Sequence, residues 1–192
     1  MIALFGGTFN PVHYGHLAMA ETAAREMGLE RVIFIPCGTP PHKPAGSLAG
    51  ALHRVRMLES AVSNNPLFSV SRYETGRKGL SYTYDTILHF RRLHPDKSIA
   101  YLVGADSLAE LKTWKHGLEL LSLCRFISGG RPGFCPEKLP AAVRRKVVFL
   151  KSPMLDISST DIRRIIRAGG SPRYLLPDNV LDFICRKKLY VK

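Results

Sequence analysis

The sequence predicts an α/β protein built on a doubly wound, mainly parallel β-sheet with a small C-terminal helical portion. Short runs rich in β-branched and aromatic residues alternate with longer helical patterns along nearly the whole chain, which is typical of βαβ units. Three of the runs, at 2–5, 32–35 and 99–103, are apolar throughout, as in parallel strands that helices cover on both faces. The 192 residues have the length of one domain, 1–192, in which 153–192 would form the helical portion.

Each element follows from local signals. Strands are predicted at 2–5, 31–35, 68–72, 98–103, 125–128 and 147–150. Helices are predicted at 16–27, 52–62, 85–93, 159–167 and 178–187 from apolar residues that recur every three or four positions. Gly28 suits the C-terminal cap of the first helix, and Ser81 and Thr83 are available to cap the third. In such a fold, ligands bind beyond the carboxyl ends of the strands, so the loops there decide the function.

Composition and charge exclude several classes of protein. The chain is 45% hydrophobic and 22% charged, which is globular rather than disordered composition. No two of the four cysteines form a C-x-x-C pair, so we expect buried thiols in a reducing cytoplasm rather than a zinc knuckle or a redox motif. No apolar stretch has the length of a membrane span. The net charge of +13 indicates a polyanionic partner, either nucleic acid or nucleotide phosphates, or serves solubility alone.

The loop after the first strand carries the first chemical signal. It reads Gly-Gly-Thr-Phe-Asn-Pro-Val-His-Tyr-Gly-His over residues 6–16 and leads into a helix. Glycines let the backbone approach a ligand, and the N-terminus of a helix attracts phosphate. The string is neither a G-x-G-x-x-G motif nor a P-loop. His13 and His16 could donate hydrogen bonds to a bound anion, could be two surface histidines, or could bind a metal with His42 as a weak third ligand.

This string resembles the first signature of nucleotidyltransferases of the HxGH superfamily. Their second signature, Ser-x-x-x-Arg with a cluster of hydroxyls, appears as Ile-Ser-Ser-Thr-Asp-Ile-Arg at residues 157–163, where a late helix begins. Both signatures occur in the expected order and in strand–loop–helix contexts. The resemblance implies a Rossmann-like nucleotidyltransferase fold.

Within the superfamily, the chain is similar to bacterial nicotinate-nucleotide adenylyltransferases over essentially its whole length. The similarity rests on the segments Pro-Pro-His-Lys at 40–43, Ser-Tyr-Thr-Tyr-Asp-Thr at 81–86, Gly-Ala-Asp-Ser-Leu at 104–108, Thr-Trp at 113–114, Leu-Pro-Asp-Asn-Val at 176–180 and Leu-Tyr at 189–190. Asn10 stands where many members carry Asp, and we expect it to shape the turn. The resemblance implies that ATP and nicotinate mononucleotide give nicotinic acid adenine dinucleotide and pyrophosphate in NAD biosynthesis. The implied reaction is a direct in-line attack, with Mg²⁺ held by the ATP phosphates.

The resemblance also implies which residues form the site. The catalytic residues would be His16, His13 and Arg163, with His16 contacting the transition state because it lies at the helix start. ATP would bind to Gly7, Thr8, Phe9, His13, His16, Gly104, Asp106, Ser158, Ser159, Thr160 and Arg163. The mononucleotide would bind to His42, Lys43, Thr83, Tyr84, Asp106 and Trp114, with its pyridine ring stacked on Trp114. Apart from the resemblance, the serines would equally serve as a helix cap and Trp114 as a core residue.

Other functions stay open at this point. A related adenylyltransferase would use nicotinamide mononucleotide or phosphopantetheine, although phosphopantetheine enzymes tend to be shorter and to carry Thr at the position of His13. A basic nucleic-acid-binding module would explain the charge, with weak support from the basic runs at 144–146 and 186–188. We expect a cytoplasmic enzyme with neither a nucleic-acid nor a membrane partner, and we leave a homo-oligomer open.

Overall fold

The structure is a computed structural model that describes residues 1–41, 48–130, 135–151 and 155–191. The described residues form six strands and eight α-helices. The strands are β1 (Ile2–Gly7), β2 (Arg31–Pro36), β3 (Phe68–Val70), β4 (Ile99–Gly104), β5 (Arg125–Gly129) and β6 (Val147–Phe149). The helices are α1 (Tyr14–Met27), α2 (Ala51–Val62), α3 (Thr83–Leu93), α4 (Ala105–Ala109), α5 (Gly117–Leu123), α6 (Ala141–Arg144), α7 (Ser159–Arg167) and α8 (Asp178–Arg186). Two 3₁₀ turns lie at Leu111–Thr113 and Pro136–Lys138.

The six strands form one sheet in the order β3-β2-β1-β4-β5-β6. Every pair of neighbouring strands is parallel, which confirms the predicted fold class. The chain moves outward from β1 to β3 and then returns to the other side of β1 for β4. This reversal of strand order opens a crevice at the carboxyl ends of β1 and β4, where doubly wound proteins bind their ligands.

The core lies on both faces of this sheet. Alternate residues of β1 point to opposite faces, so that Ala3 and Phe5 lie in one apolar cluster while Ile2 and Leu4 lie in the other. Helices α1, α2, α7 and α8 cover the first cluster, and α3, α4, α5 and α6 cover the second. Burial on both faces explains why the central strands are apolar without interruption.

The strands and the five long helices are confirmed, with corrections at their ends. The first helix begins at Tyr14 with His13 as its N-cap, two residues earlier than predicted, and ends as predicted at Gly28, which has a left-handed φ of 58°. The predicted caps of α3 are wrong, because Tyr82 is its N-cap and no side chain caps it. The Ser81 hydroxyl accepts from the amide of Gly38 instead (3.2 Å).

Three short helices were not predicted, and the cysteines differ partly from expectation. Helices α4, α5 and α6 have five, seven and four residues, too few to repeat an apolar pattern. All four cysteines are free thiols; Cys37 and Cys124 are partly buried, but Cys135 and Cys185 are exposed, so the prediction of burial is wrong for those two. Within the described ranges, no helix is long and apolar enough to cross a bilayer.

Candidate active site

Two adjoining cavities open at the carboxyl ends of β1 and β4. The histidine cavity, of about 250 Å³, lies between the N-termini of α1 and α7. The tryptophan cavity, of about 280 Å³, lies between the loops after β2 and β3 and the turn that carries Trp114. Their common wall consists of Gly6, Gly7, Thr8, Gly104 and Ser107. A ligand could therefore extend from one cavity into the other across the end of β1.

The two histidines stack against each other on one wall of the histidine cavity. Their ring centroids lie 3.7 Å apart, and His13 is only 4% exposed. His16 lies in the first turn of α1, with its ring against the edge of Phe9 (5.0 Å). In the first turn of α1, the amides of Tyr14 and His16 already donate to the carbonyls of Leu175 and His13 (3.0 Å each), so this wall combines two imidazoles with the positive end of the helix dipole. Such a wall suits an anion.

The start of α7 forms the facing wall and is fastened to the loop after β1. Ser158 is the N-cap, and its hydroxyl accepts from the amide of Asp161 (3.1 Å). The Ser159 hydroxyl donates to the carbonyl of Pro11 (2.8 Å). A Cβ atom at Gly15 would lie 3.0 Å from Nδ1 of His13, so the glycine leaves room for that imidazole ring, and Gly15, Ile157 and Ser158 line the same cavity. The two helix N-termini therefore meet at one cavity.

Most residues that the sequence predicts for ATP line the histidine cavity. They are Gly7, Thr8, His13, His16, Gly104, Asp106, Ser158 and Ser159. Phe9 does not line either cavity, because its ring is 1% exposed and packs in the core against Phe5 and Phe34. Its φ of 46° is left-handed, and this turn directs the ring inward.

Arg163 and Thr160 also lie outside the cavity lining. The Arg163 guanidinium donates from Nη1 to the carbonyl of Asn10 (2.8 Å) and from Nη2 to the Thr160 hydroxyl (3.2 Å). Its buried Nε has no hydrogen-bond partner among the residues that the structure describes. Burial lowers the pKa of Arg163 from its usual value. Arg163 thus holds the loop after β1 in place, with one donor left over.

Trp114 and Thr83 line the tryptophan cavity, as the sequence predicts. Both contact Tyr101 of β4: the indole meets the phenol ring edge to face at 6.3 Å, and the Thr83 hydroxyl lies 3.3 Å from the phenol oxygen. A Cβ atom at Gly117 would lie 1.8 Å from the carbonyl oxygen of Leu111. Only glycine therefore permits the tight turn that presents Trp114.

Four residues predicted for the mononucleotide are placed differently or not described. Tyr84 is not at the cavity, because its hydroxyl donates to Glu119 (2.9 Å) and its ring faces His116. Asp106 lines the histidine cavity and not the tryptophan cavity. His42 and Lys43 lie outside the described residues. The same holds for the prediction of His42 as a weak third metal ligand beside His13 and His16. Among the described residues, no three histidine, cysteine or acidic side chains are grouped to hold a metal ion.

The structure also reveals a buried arginine that the sequence pattern did not single out. Arg54 of α2 is 1% exposed and donates to three backbone carbonyls, those of Ala49 (3.0 Å), Thr8 (2.9 Å) and Gly38 (3.3 Å). It joins the loops after β1 and β2, which together border the tryptophan cavity. In the sequence it is one of two arginines in the predicted helix at 52–62, and charged residues are rarely buried, so no signal distinguished it.

A buried acid, Glu74, was likewise not predicted. It is 8% exposed and lines the tryptophan cavity together with Cys37, Ser81 and Tyr101. Burial raises the pKa of Glu74 from its usual value, and donors that include the hydroxyl of Thr86 partly offset the shift. Burial also raises the pKa of Cys37 to about 12 and raises that of Tyr101.

Comparison with known proteins agrees with this geometry. Residues 4–165 match the cytidylyltransferase-like family. A Desulfitobacterium hafniense protein named "probable nicotinate-nucleotide adenylyltransferase" is 44% identical over 98% of this chain and 95% of its own. A Moorella thermoacetica protein of the same name is 42% identical over 98% and 91%. The chain belongs to the nicotinate-nucleotide adenylyltransferase family.

Solved structures share the fold of this family member. The Plasmodium falciparum nicotinic acid mononucleotide adenylyltransferase, complexed with NaAD, superposes with a TM-score of 0.84 at 21% identity, over 98% of this chain and 96% of the other. The same enzyme complexed with APC gives a TM-score of 0.82 at 20% identity with the same coverage. In the present adenylyltransferase the two cavities differ in chemistry. One offers helix amides and imidazoles, and the other offers aromatic walls.

Proposed function

We propose that the protein transfers the adenylyl group of ATP to nicotinate mononucleotide, forming nicotinic acid adenine dinucleotide and pyrophosphate in NAD biosynthesis. One observation carries the proposal: two helix N-termini meet at a histidine-lined cavity that adjoins an aromatic cavity. The first suits a triphosphate, and the second suits a flat pyridine ring. The names of relatives that are more than 40% identical support the same substrates.

The proposed reaction needs no general base from the protein. A phosphate monoester has a second pKa of about 6, so the acceptor is mostly a dianion at neutral pH. One of its oxygens attacks the α-phosphorus in line, the bond to the bridging oxygen breaks, and pyrophosphate leaves with the electron pair. The protein accelerates this step by holding two anions together and by stabilising charge on the oxygens. No covalent intermediate with the protein is formed.

The phosphates occupy the histidine cavity in this proposal. His13 and His16 donate to phosphoryl oxygens from one side, and the backbone amides of Ser158 and Ser159 do so from the other. The Ser158 and Ser159 hydroxyls donate to the Asp161 carboxylate and to the Pro11 carbonyl, and so hold the start of α7 in place. Gly7 and Thr8 contribute backbone contacts. Arg163 reaches the phosphates by exchanging its bond to the Asn10 carbonyl for bonds to phosphoryl oxygens, with its spare Nε as a further donor.

The mononucleotide occupies the tryptophan cavity. Its pyridine ring stacks on Trp114, and the Thr83 hydroxyl with nearby amides receives the carboxylate. Asp106 stands beside the wall common to both cavities, where it can accept from a ribose hydroxyl. His42 and Lys43, in the loop after β2, stay predicted contacts of the acceptor phosphate.

Mg²⁺ enters with ATP in this proposal, as part of the substrate. The histidine cavity presents carboxylate and hydroxyl oxygens from Asp106, Ser158 and Ser159, the donor type that Mg²⁺ prefers. Bound there, the ion neutralises charge on the phosphates. Its principal ligands are phosphate oxygens and water.

The test is pyrophosphate release from ATP, measured in parallel with nicotinate mononucleotide, nicotinamide mononucleotide and phosphopantetheine as acceptors. We expect the highest kcat/KM with nicotinate mononucleotide. Faster release with the amide would change the assigned acceptor, and release with phosphopantetheine alone would overturn the proposal. Absence of release with all three, together with DNA binding that weakens steeply with salt, would favour the nucleic-acid-binding alternative.

A further inference from the structure

The tryptophan cavity contains a buried carboxyl group that the proposed reaction does not use. We propose that Glu74 determines the specificity of this cavity, because its charge decides how well a pyridinium ring that bears a carboxylate is accepted relative to one that bears an uncharged amide. The proposal rests on the proposed function, since it concerns the acceptor assigned above. Glu74 acts through charge on the bound ring and takes no part in the transfer step.

Hydrogen bonds fix the position of this carboxyl group. The Thr86 hydroxyl of α3 donates to its Oε1 at 2.7 Å, and the side chains of Ser81 and Cys37 and the amide of Gly38 are further partners. A Cβ atom at Gly38 would lie 2.3 Å from the carbonyl oxygen of Glu74. The loops after β2 and β3 therefore pack tightly around the carboxyl group, which cannot swing out to solvent without disturbing both.

Near neutral pH, two titratable groups in the wall beside Glu74 do not change charge. The Cys37 thiol and the Tyr101 phenol stay neutral there, because burial raises the pKa of both. The Arg54 guanidinium lies near enough to favour a negative Glu74, as do the hydrogen-bond donors. Burial acts in the opposite direction and is the largest influence, so the pKa of Glu74 is raised.

Among the residues that the structure describes, two other charged side chains line the cavity, and both are exposed. They are Glu110 and Lys115. The Lys115 ammonium lies 4.7 Å from the ring centre of Tyr82 and 3.4 Å from the carboxylate of Asp85. Water and salt screen exposed charges, whereas a buried charge is screened much less. A change at Glu74 therefore dominates the effect of pH on the cavity.

The consequence is a preference that depends on pH. A neutral Glu74 tolerates the carboxylate of nicotinate mononucleotide. An ionised Glu74 repels that carboxylate, whereas the amide of nicotinamide mononucleotide carries no charge for it to repel. Both ligands carry the same pyridinium charge, so its attraction to Glu74 is common to the two. The preference for the acid over the amide should therefore fall as the pH rises through the pKa of Glu74.

The experiment measures binding by the fluorescence of Trp114, the only tryptophan in the sequence and a lining residue of the cavity. The Kd values of nicotinate and nicotinamide mononucleotide are compared between pH 5 and 9. Both ligands carry the same phosphate, so its titration cancels in the ratio of the two Kd values. For the wild type, we expect the preference for the acid to fall by about tenfold as Glu74 ionises.

Three variants test whether Glu74 causes the pH dependence of the ratio of the two Kd values. Glu74→Gln keeps the shape of the side chain and should abolish the pH dependence of the ratio. Thr86→Val removes a donor to the ionised carboxylate and should move the midpoint to higher pH, which provides a second test if Glu74→Gln does not fold. Glu110→Gln, an exposed carboxyl in the same cavity, should retain the wild-type pH dependence.

The outcomes separate this proposal from the proposed function. An unchanged pH dependence in Glu74→Gln, or an unmoved midpoint in Thr86→Val, would overturn the role of Glu74 while binding itself supports the assigned acceptor. Absence of a fluorescence change with either mononucleotide would overturn both proposals.

Discussion

At the scale of single residues, the two stacked imidazoles have different surroundings. His13 is the N-cap of α1 and is almost fully buried, whereas His16 lies one turn further on and is partly exposed at the cavity. Removing His13 would therefore disturb packing and chemistry together. Removing His16 tests the chemistry more directly.

His16→Ala should lower kcat by about 10²- to 10³-fold, as loss of a donor to a developing negative charge commonly does. The fold should be retained, because alanine suits a first helical turn. Steady-state pyrophosphate release gives kcat, and circular dichroism checks the helix content. Turnover near that of the wild type would remove His16 from the transition state.

Trp114→Ala tests the acceptor side at the same scale. Loss of a stacking partner should raise the KM for the mononucleotide by about tenfold, because aromatic pairs contribute about 0.5–1.5 kcal/mol beyond their buried area. The KM for ATP should change far less, since Trp114 lines the tryptophan cavity alone. Equal increases in the two KM values would mean that the indole supports the fold rather than the ring.

At the scale of elements, the loops after β1 and β2 depend on one side chain from α2. Arg54 provides donors to the partly buried carbonyls of Thr8, Gly38 and Ala49, and a buried carbonyl that loses its donor costs about 1–3 kcal/mol. Arg54→Met should therefore lower the free energy of unfolding by about 3 kcal/mol, as measured by urea denaturation.

Arg56→Met is the matched control for that measurement. It removes an exposed arginine from the same helix, and exposed substitutions usually change stability by less than about 0.5 kcal/mol. Similar stabilities of the Arg54 and Arg56 variants would show that the three carbonyls find other donors.

The elements that the sequence predicted are those with enough length to repeat a pattern. Helix α2 has 12 residues and the central strands are apolar throughout, so period and composition identify them. A four-residue helix such as α6 shows no period. For the same reason, a pattern of apolar residues does not reveal that a polar residue such as Arg54 or Glu74 is buried, because burial depends on loops that meet only in the folded chain.

The sequence indicated those parts of the candidate site that one short continuous segment forms. The loop at 6–16 and the segment at 157–163 lie on opposite walls of one cavity, as their signatures implied. Tyr84 follows Thr83 in α3, but neighbouring helical residues point in different directions, and the Tyr84 hydroxyl donates to Glu119 outside the cavity. A sequence motif identifies a segment of the site, but the helical repeat of 3.6 residues determines which side chains of that segment reach the cavity.

At the scale of the whole molecule, the two ends of the strands have separate roles. The carboxyl ends carry both cavities. At the amino ends, Glu30 forms ion pairs with the N-terminal ammonium of Met1 and with Lys97 (2.6 Å). These groups precede β2, β1 and β4, so one carboxylate connects the starts of the three central strands.

This arrangement predicts that Glu30→Gln lowers stability without affecting catalysis. The hydrogen bond from Lys97, followed by that from the N-terminus, lowers the pKa of Glu30 from 4.5 to about 2. A lowered pKa in the folded state means that the carboxylate stabilises the fold above pH 4.5 and loses this contribution as the pH falls towards 2. The difference in urea midpoint between wild type and variant should thus be present at pH 6 and shrink steadily below pH 4.5.

Salt and a second variant complete this test. Because the pair is exposed, 1 M salt should reduce the difference at pH 6. Asp182→Asn, on the exposed side of α8, should leave the midpoint close to that of the wild type. The kcat of Glu30→Gln should equal that of the wild type, since the ion pairs lie a full strand length from the cavities. A loss of kcat without a loss of stability would contradict this separation of roles between the amino and carboxyl ends of the strands.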